Sequence, residues 1–417
     1  MNKIILGYEK INKQTSEGFR FNGRINPSLM PVTLTNSLGN DDGSKSFIQQ
    51  SIIFNCFPEQ DSTLHVTLGL NNNSSIYEIK EISEIDSNET YFYPIHIIHI
   101  YTYLPYTSHI AVSDKVLNDA KNGKCFIVLS YPNEGHFYYR KQGISLLIEK
   151  LGIPKENILV LHADNNIENF LDCSFTYVPI NLFPWWIERF SNVSDIVEYD
   201  HERLFSCFNR RMRVDRLQLL SYLKRYDLIN DGFVSCGDVD ELGLSMIDST
   251  DSEKLFLKNF QGSSPDNLII SGPAQVNPAD DVNFEIAKRT FLTVVPETEA
   301  RQDSIVYFTE KTFKPILMGH PFIIYGGLHS LKKLKEFGYK TFDKWWDESY
   351  DDTANFVDRS KKITQILLSL KAKPLAELKI IRDDMSETLR FNQNLFLNTI
   401  RNNKPDDIFI DTLRKFI

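Results

Sequence analysis

A chain of 417 residues is longer than one hydrophobic core usually serves; its length favours two or three domains, of which two is the reading adopted. Hydrophobic residues make up 42% and charged residues 24%, which excludes wholesale disorder and lets both domains bury real cores. A net charge of -9 excludes a general nucleic-acid coat, although a local basic groove is still compatible with it.

Five cysteines (Cys56, Cys125, Cys173, Cys207 and Cys236) are odd in number, widely spaced and mostly inside apolar runs. They read as buried free thiols rather than a disulfide framework. The first residues are too briefly apolar for a secretory signal, and no later run reaches the ~20 apolar residues of a membrane span. The protein is therefore expected to be soluble.

Residues 1–115 alternate short apolar runs (51–57, 63–70, 91–103) with Asn, Ser, Gly and Asp clusters, a pattern of strands and loops. His96, His99 and His109 lie in an aromatic, Ile-rich stretch without a second ligand cluster at metal spacing, so no metal site is expected there. From about residue 116 the alternation sharpens. Residues 114–121 read as helix, 124–130 as a buried strand, 142–151 as an amphipathic helix and 157–162 as another strand. This βαβ rhythm predicts an α/β fold with parallel strands.

Ligands in such sheets gather at the carboxyl ends of strands. Two polar loops sit there, Tyr131-Pro132-Asn133-Glu134-Gly135-His136 and Ala163-Asp164-Asn165-Asn166. Glu134 and Asp164 are the best-placed carboxylates of this half, with His136 close behind. The aromatic, poorly periodic stretch 175–190 reads as a bridge between domains. Its Trp185 and Trp186 fit interface core better than an exposed stacking platform.

The second domain opens near His201 with strand 203–208, a basic loop and a helix from about Leu217. Arg210, Arg211, Arg213 and Arg216 crowd the helix start, an anion-binding arrangement. Phe233 to Asp240 reads as the next strand and its exit loop. Residues 284–288 read as helix, and 290–295 as a β-branched strand ending in Pro296-Glu297-Thr298-Glu299-Ala300-Arg301.

In the stretch Tyr307 to Gly326, Thr309 is a predicted N-cap. Phe313, Ile316 and Leu317 recur at helical spacing, Gly319 stops the helix, and Pro321 to Tyr325 reads as a buried strand. Glu310 and Lys311 fall in the first helical turn, where unpaired N–H groups favour an anion. Residues 330–336 read as a further helix and Trp345-Trp346 as packing. Three helices follow over 357–371, 375–392 and 395–400.

The run Tyr307, Thr309, Glu310, Lys311, Phe313, Pro321 and Gly326 resembles the donor-binding segment of the α-1,3-fucosyltransferase-like glycosyltransferases over about residues 203–350. That segment has Tyr-x-Thr-Glu-Lys-Leu/Phe, a helix and a Pro-x-x-x-Gly strand. The resemblance implies that Glu310 binds the nucleotide ribose and Lys311 the diphosphate. It also implies that Arg213 or Arg216 binds the diphosphate, without choosing between them. The sequence departs from the family where its Phe-Glu-Asn-Ser segment is replaced by Val295-Pro296-Glu297-Thr298; Glu297, Thr298 and Arg301, in the strand-end loop just before the motif, rank below Glu310 and Lys311 as contacts to the donor sugar or base.

The fold so implied is two Rossmann-like domains facing a cleft, the GT-B arrangement, with C-terminal helices. Residues 1–195 would be the acceptor side, 196–390 the donor-binding domain, and 391–417 a helical tail placed to return to the first domain through Ile408, Ile410, Leu413 and Ile417. The expected reaction is metal-independent, inverting transfer of a sugar from a nucleotide-diphosphate donor to an acceptor hydroxyl. Arg and Lys would take the place of a metal, no cofactor would be needed, and Glu134 or Asp164 would serve as base. Asp238-Val239-Asp240 matches the Asp-x-Asp of metal-dependent glycosyltransferases but sits midway along the chain, where loop acids are the expected reading.

Two further readings are compatible: a viral-type enzyme that glycosylates hydroxymethylated bases in DNA, and a non-catalytic nucleotide-sugar-binding protein. Golgi relatives carry an N-terminal membrane anchor. Its absence from this sequence implies a cytoplasmic enzyme, bacterial or viral within a host cell.

Overall fold

The computed structural model describes residues 3–8, 20–21, 24–25, 77–96, 114–131, 152–163, 165, 176–181, 183–193, 195–200, 202–209, 212–260, 282–301, 306–403 and 405–417. The chain divides into two compact units, 1–185 with 403–417, and 186–402. The division falls earlier than residue 195, where the sequence placed it. The predicted helix over 142–151, the runs 51–57 and 63–70, and His99, His109, Glu134 and Asp164 lie outside the described residues.

In the first unit the described elements are β1 (Ile4–Tyr8), β2 (Arg20–Phe21), β3 (Arg24–Ile25), β4 (Tyr77–Glu81), β5 (Tyr91–His96), α1 (Asp114–Lys121), β6 (Cys125–Tyr131), β7 (Ile158–His162) and β8 (Thr176–Pro179). Strands β2 and β3 form a small antiparallel pair. The others make one parallel sheet in the order β4-β1-β5-β6-β7-β8. The runs Cys-Phe-Ile-Val-Leu-Ser-Tyr and Ile-Leu-Val-Leu-His are apolar without alternation because both faces of these strands are covered. Tyr91, Tyr93, Cys125, Ile127, Ile158 and Val160 share one core with Val116 and Ala120 of α1, while Phe92, Val128, Leu159 and Leu161 are buried at the alternate positions.

The segment predicted as an irregular bridge is partly ordered into the sheet. Thr176–Pro179 pairs with β7 as its edge strand, and a 3₁₀ stretch follows over Phe183–Phe190. Four residues ending in a proline give little strand signal, and an edge is where proline is tolerated.

The second unit continues with β9 (Arg203–Cys207), α2 (Val214–Arg225), β10 (Gly232–Val234), α3 (Glu241–Ser245), α4 (Asp251–Asn259), α5 (Phe284–Arg289), β11 (Thr290–Pro296), α6 (Glu310–Leu317), β12 (Phe322–Tyr325), α7 (Ser330–Glu336), α8 (Phe356–Lys371), α9 (Leu375–Asp384) and α10 (Ser386–Asn402). A last helix, α11 (Pro405–Leu413), groups with the first unit. The sheet is parallel, in the order β10-β9-β11-β12. Its first strand, β9, is therefore internal, with the second strand on one side and the third on the other. Connections leave the carboxyl ends of β9 and β11 in opposite directions, so a crevice opens between them, the place where open α/β sheets bind ligands.

The helix predicted over 375–392 is two helices. Met385, fully buried, is the C-cap that follows α9, and α10 starts afresh at Ser386 and runs unbroken to Asn402. Helix α10 then bears on α6: Phe396 stacks on Phe313 at 5.7 Å between ring centroids, and Gln393 donates to the Leu317 carbonyl. Gly319 ends α6 with φ +58°, a left-handed conformation in which a β-carbon would also collide with Ile196. Among the described residues, no helix is long and apolar enough to cross a membrane.

Candidate functional site

Helix α6 begins where the local sequence requires. Thr309 is extended, and its hydroxyl accepts from the Lys311 N–H at 3.3 Å, so the first turn carries Glu310 and Lys311. The helix is set against the end of β11 by Glu297, a buried residue whose carboxylate is fully engaged. Its Oε1 accepts from the Thr309 N–H at 3.0 Å and the Thr312 hydroxyl at 2.7 Å. Its Oε2 accepts from the Thr309 hydroxyl at 2.7 Å and the Thr298 N–H at 3.2 Å. Gly326, at the end of β12, lets this region close up: a β-carbon there would lie 2.9 Å from Ser330 Oγ and 3.5 Å from the Glu297 β-carbon.

Two cations from separate helix starts reach one residue. Arg213, at the N-cap of α2, donates to the Thr298 carbonyl, and its guanidinium lies 3.8 Å from a Glu299 carboxylate oxygen. Lys311 Nζ lies 3.4 Å from Thr298 Oγ1, 2.9 Å from Thr309 Oγ1 and 3.3 Å from Glu310 Oε1. The side chains of Arg213 and Lys311 keep 24% and 29% of their exposure, enough to meet a ligand. That of Glu310 keeps only 7%. Burial pushes the Glu310 carboxyl up, but Lys311 and Lys314 offset this, and it lies below its ordinary value.

The two arginines that sequence reasoning could not rank have different surroundings. Arg216 is 4% exposed and gives its Nη2 to the carbonyls of Pro296 at 3.1 Å and Glu297 at 2.9 Å. It holds the end of β11 in place. Arg213 stands at the partly open edge. Beside them Asp215 is wholly buried, accepts from the Ala300 N–H at 3.0 Å, and has its carboxyl raised by burial and then by Glu299. Arg301 turns back on its own loop, its Nε 3.2 Å from Glu299 Oε1.

Three supports were missed in the sequence. Arg359 of α8 is buried and donates to Ala300, Thr353, Ala354 and Gly326 carbonyls, tying the strand-end loops after β11 and β12 to one helix. Its signal was a charged residue four positions before Ile363, in line with the apolar face of α8. The Tyr325 hydroxyl lies 3.1 Å from the Asp215 carbonyl, linking β12 to the start of α2. Thr312, the remaining donor to Glu297, looked like an ordinary helix residue.

Asp240 caps α3, accepting from the Gly243 N–H, which accounts for one acid of the Asp-x-Asp match. Among the described residues, no group of three or more His, Cys, Asp or Glu side chains is placed to hold a metal. Cys125, Cys207 and Cys236 are buried thiols. Burial pushes Cys207 up to about 12 and Cys236 up to about 11, so neither is a ready nucleophile. Trp346 is buried against Phe342, as packing.

No protein-family model matches the chain. No curated protein matches it in sequence. The solved structures to which it is similar include the following two. One is the DNA-modifying enzyme β-glucosyltransferase, determined in the presence and absence of the substrate uridine diphosphoglucose (12% identity, 100% of this chain and 99% of that chain covered, TM-score 0.39). The other is T4 phage BGT in complex with its UDP-glucose substrate (12% identity, 100% and 99% covered, TM-score 0.38). The fucosyltransferase-like subtype rests on the sequence motif alone. At this degree of similarity neither structure assigns a substrate.

Proposed function

We propose that the protein is a glycosyltransferase of the GT-B class, whose second unit binds a nucleotide-diphosphate sugar at the crevice between β9 and β11. The observation that carries this reading is the meeting of Arg213 and Lys311 on Thr298, each at the start of a helix, at the carboxyl edge of a parallel sheet. Two cations and two helix N-termini at a topological switch point suit a diphosphate. Glu310, ionised and beside Lys311, suits ribose hydroxyls.

In this reading Arg213 and Lys311 bind the diphosphate and stabilise the charge that develops as it departs, while Arg216 holds the loop. Direct displacement at the sugar inverts it. The acceptor hydroxyl gives up its proton to a carboxylate, for which Glu134 and then Asp164 remain the proposed bases. The acceptor is proposed to be a glycan, and the sugar transfer to be fucosyltransferase-like.

Calorimetric binding of GDP-, UDP-, ADP-, CDP- and dTDP-sugars to wild type and Lys311→Ala tests the donor site. One nucleotide should bind selectively, and the substitution should weaken it by about 1.5–3 kcal/mol, the scale of a hydrogen bond to a charged group. Binding indifferent to Lys311 would sink the reading. Supplying glycan and hydroxymethylated DNA acceptors with the selected donor then separates glycan transfer from DNA modification. Binding without turnover or donor hydrolysis would identify a pure binder.

A further inference from the structure

We propose that Glu297 is a positioning residue for Lys311, acting through the hydroxyl of Thr309. The proposal rests on the donor-site reading above and concerns what aims its ammonium group. Lysine is a flexible point charge whose direction is set by its partners. Its nearest partner here is Thr309 Oγ1, at 2.9 Å. A hydroxyl has one proton to give. Thr309 spends it on Glu297 Oε2, 2.7 Å away, because a carboxylate oxygen accepts and does not donate. The Thr309 oxygen therefore presents only lone pairs to its other neighbours, the ammonium and the backbone N–H of Lys311.

Glu297 is itself immobilised. It is buried, and the Thr309 N–H, the Thr312 hydroxyl and the Thr298 N–H hold its two oxygens from three further directions. Polarity thus runs one way, from carboxylate to hydroxyl to ammonium, and fixes Nζ beside Thr298. A glutamine in place of Glu297 has nearly the same shape but brings an NH₂ group. Any threonine hydroxyl facing that NH₂ must accept, and Thr309 would then turn its proton toward Lys311.

The test is calorimetric binding of the nucleoside diphosphate that the wild type prefers, to Glu297→Gln, Thr309→Val, Thr309→Ser, Lys311→Ala and Glu297→Gln/Lys311→Ala. Circular dichroism and thermal unfolding check that each variant is folded. Glu297→Gln and Thr309→Val are expected to weaken binding on the order of tenfold, within the coupling range of residues in one hydrogen-bond network. Thr309→Ser, which keeps the hydroxyl, should recover what Thr309→Val loses. The double variant should bind no more weakly than Lys311→Ala alone, an equality that a merely structural role for Glu297 would not produce.

The proposal is overturned if folded Glu297→Gln binds like wild type, or if its loss adds in full to that of Lys311→Ala. Should Glu297→Gln fail to fold, Thr309→Val decides, since undiminished binding by that variant also overturns it. If Lys311→Ala itself binds normally, the donor-site reading has failed and takes this proposal with it, an outcome distinct from the others.

Discussion

Glu297 and Thr309 are joined twice, through the backbone N–H and the side-chain hydroxyl of the threonine, one to each carboxylate oxygen. A residue at the end of β11 thereby sets where α6 begins. The first turn of that helix is placed by a side chain twelve positions upstream as much as by its own capping.

Removing this carboxylate should cost stability. Glu297→Ala leaves two threonine hydroxyls and a backbone N–H buried without their acceptor. The expected loss is on the order of 3 kcal/mol, since each unsatisfied buried group costs about 1–3 kcal/mol. Urea unfolding of wild type and variant measures it, and a difference below about 1 kcal/mol would show that the loop relaxes around the gap.

Arg213 and Arg216 should separate function from stability. Arg213→Ala is expected to leave the midpoint of thermal unfolding nearly unchanged while weakening diphosphate binding, because its guanidinium is partly open. Arg216→Ala is expected to destabilise by about 2–3 kcal/mol, because the carbonyls of Pro296 and Glu297 lose a buried charged donor. Thermal unfolding and calorimetry on both variants should therefore rank them in opposite orders.

Arg359 should prove as costly to remove as any single residue of the second unit. Arg359→Met keeps the stem but strands four backbone carbonyls, at Ala300, Gly326, Thr353 and Ala354. A loss of about 3–5 kcal/mol is expected, with faster amide hydrogen exchange at Ala300 and neighbouring N–H groups. Unfolding midpoints and exchange rates report the two effects independently.

His320 should make the second unit acid-sensitive. The ring is wholly buried, and burial, then the Arg382 guanidinium, hold its pKa well below the ordinary value. The unfolded chain takes up a proton near pH 6.5 and the folded one only at lower pH, so the unfolded state binds more protons in between. Stability is thus at its plateau above about pH 6.5 and declines as pH falls, by at most about 1.4 kcal/mol per pH unit for this one group. Comparing the pH dependence of unfolding in wild type and His320→Leu checks this: the variant should lose that part of the slope, whatever its absolute stability.

What the sequence determined by itself was mostly local. Thr309, the Phe313-Ile316-Leu317 spacing and Gly319 mark the ends of α6 within a few residues, because capping and left-handed turns are properties of adjacent residues. The apolar runs of β6, β7, β11 and β12 are equally legible, since parallel strands buried on both faces need no alternation. Candidate anion binders could be named from helix starts, but not ranked.

Only the tertiary structure decided the rest. That β9 lies inside its sheet, with β11 beside it, is a fact of pairing between residues about ninety positions apart, and it creates the crevice. That Arg216 is buried on the carbonyls of Pro296 and Glu297 while Arg213 stands at the edge depends on which face of the first turn of α2 meets the end of β11. Met385, the C-cap of α9, is buried in the core, and Arg359 supports two loops because folding brings their carbonyls around it. Hydrogen bonds and burial of this kind join residues that are distant in the chain, and composition and spacing carry no record of such distances.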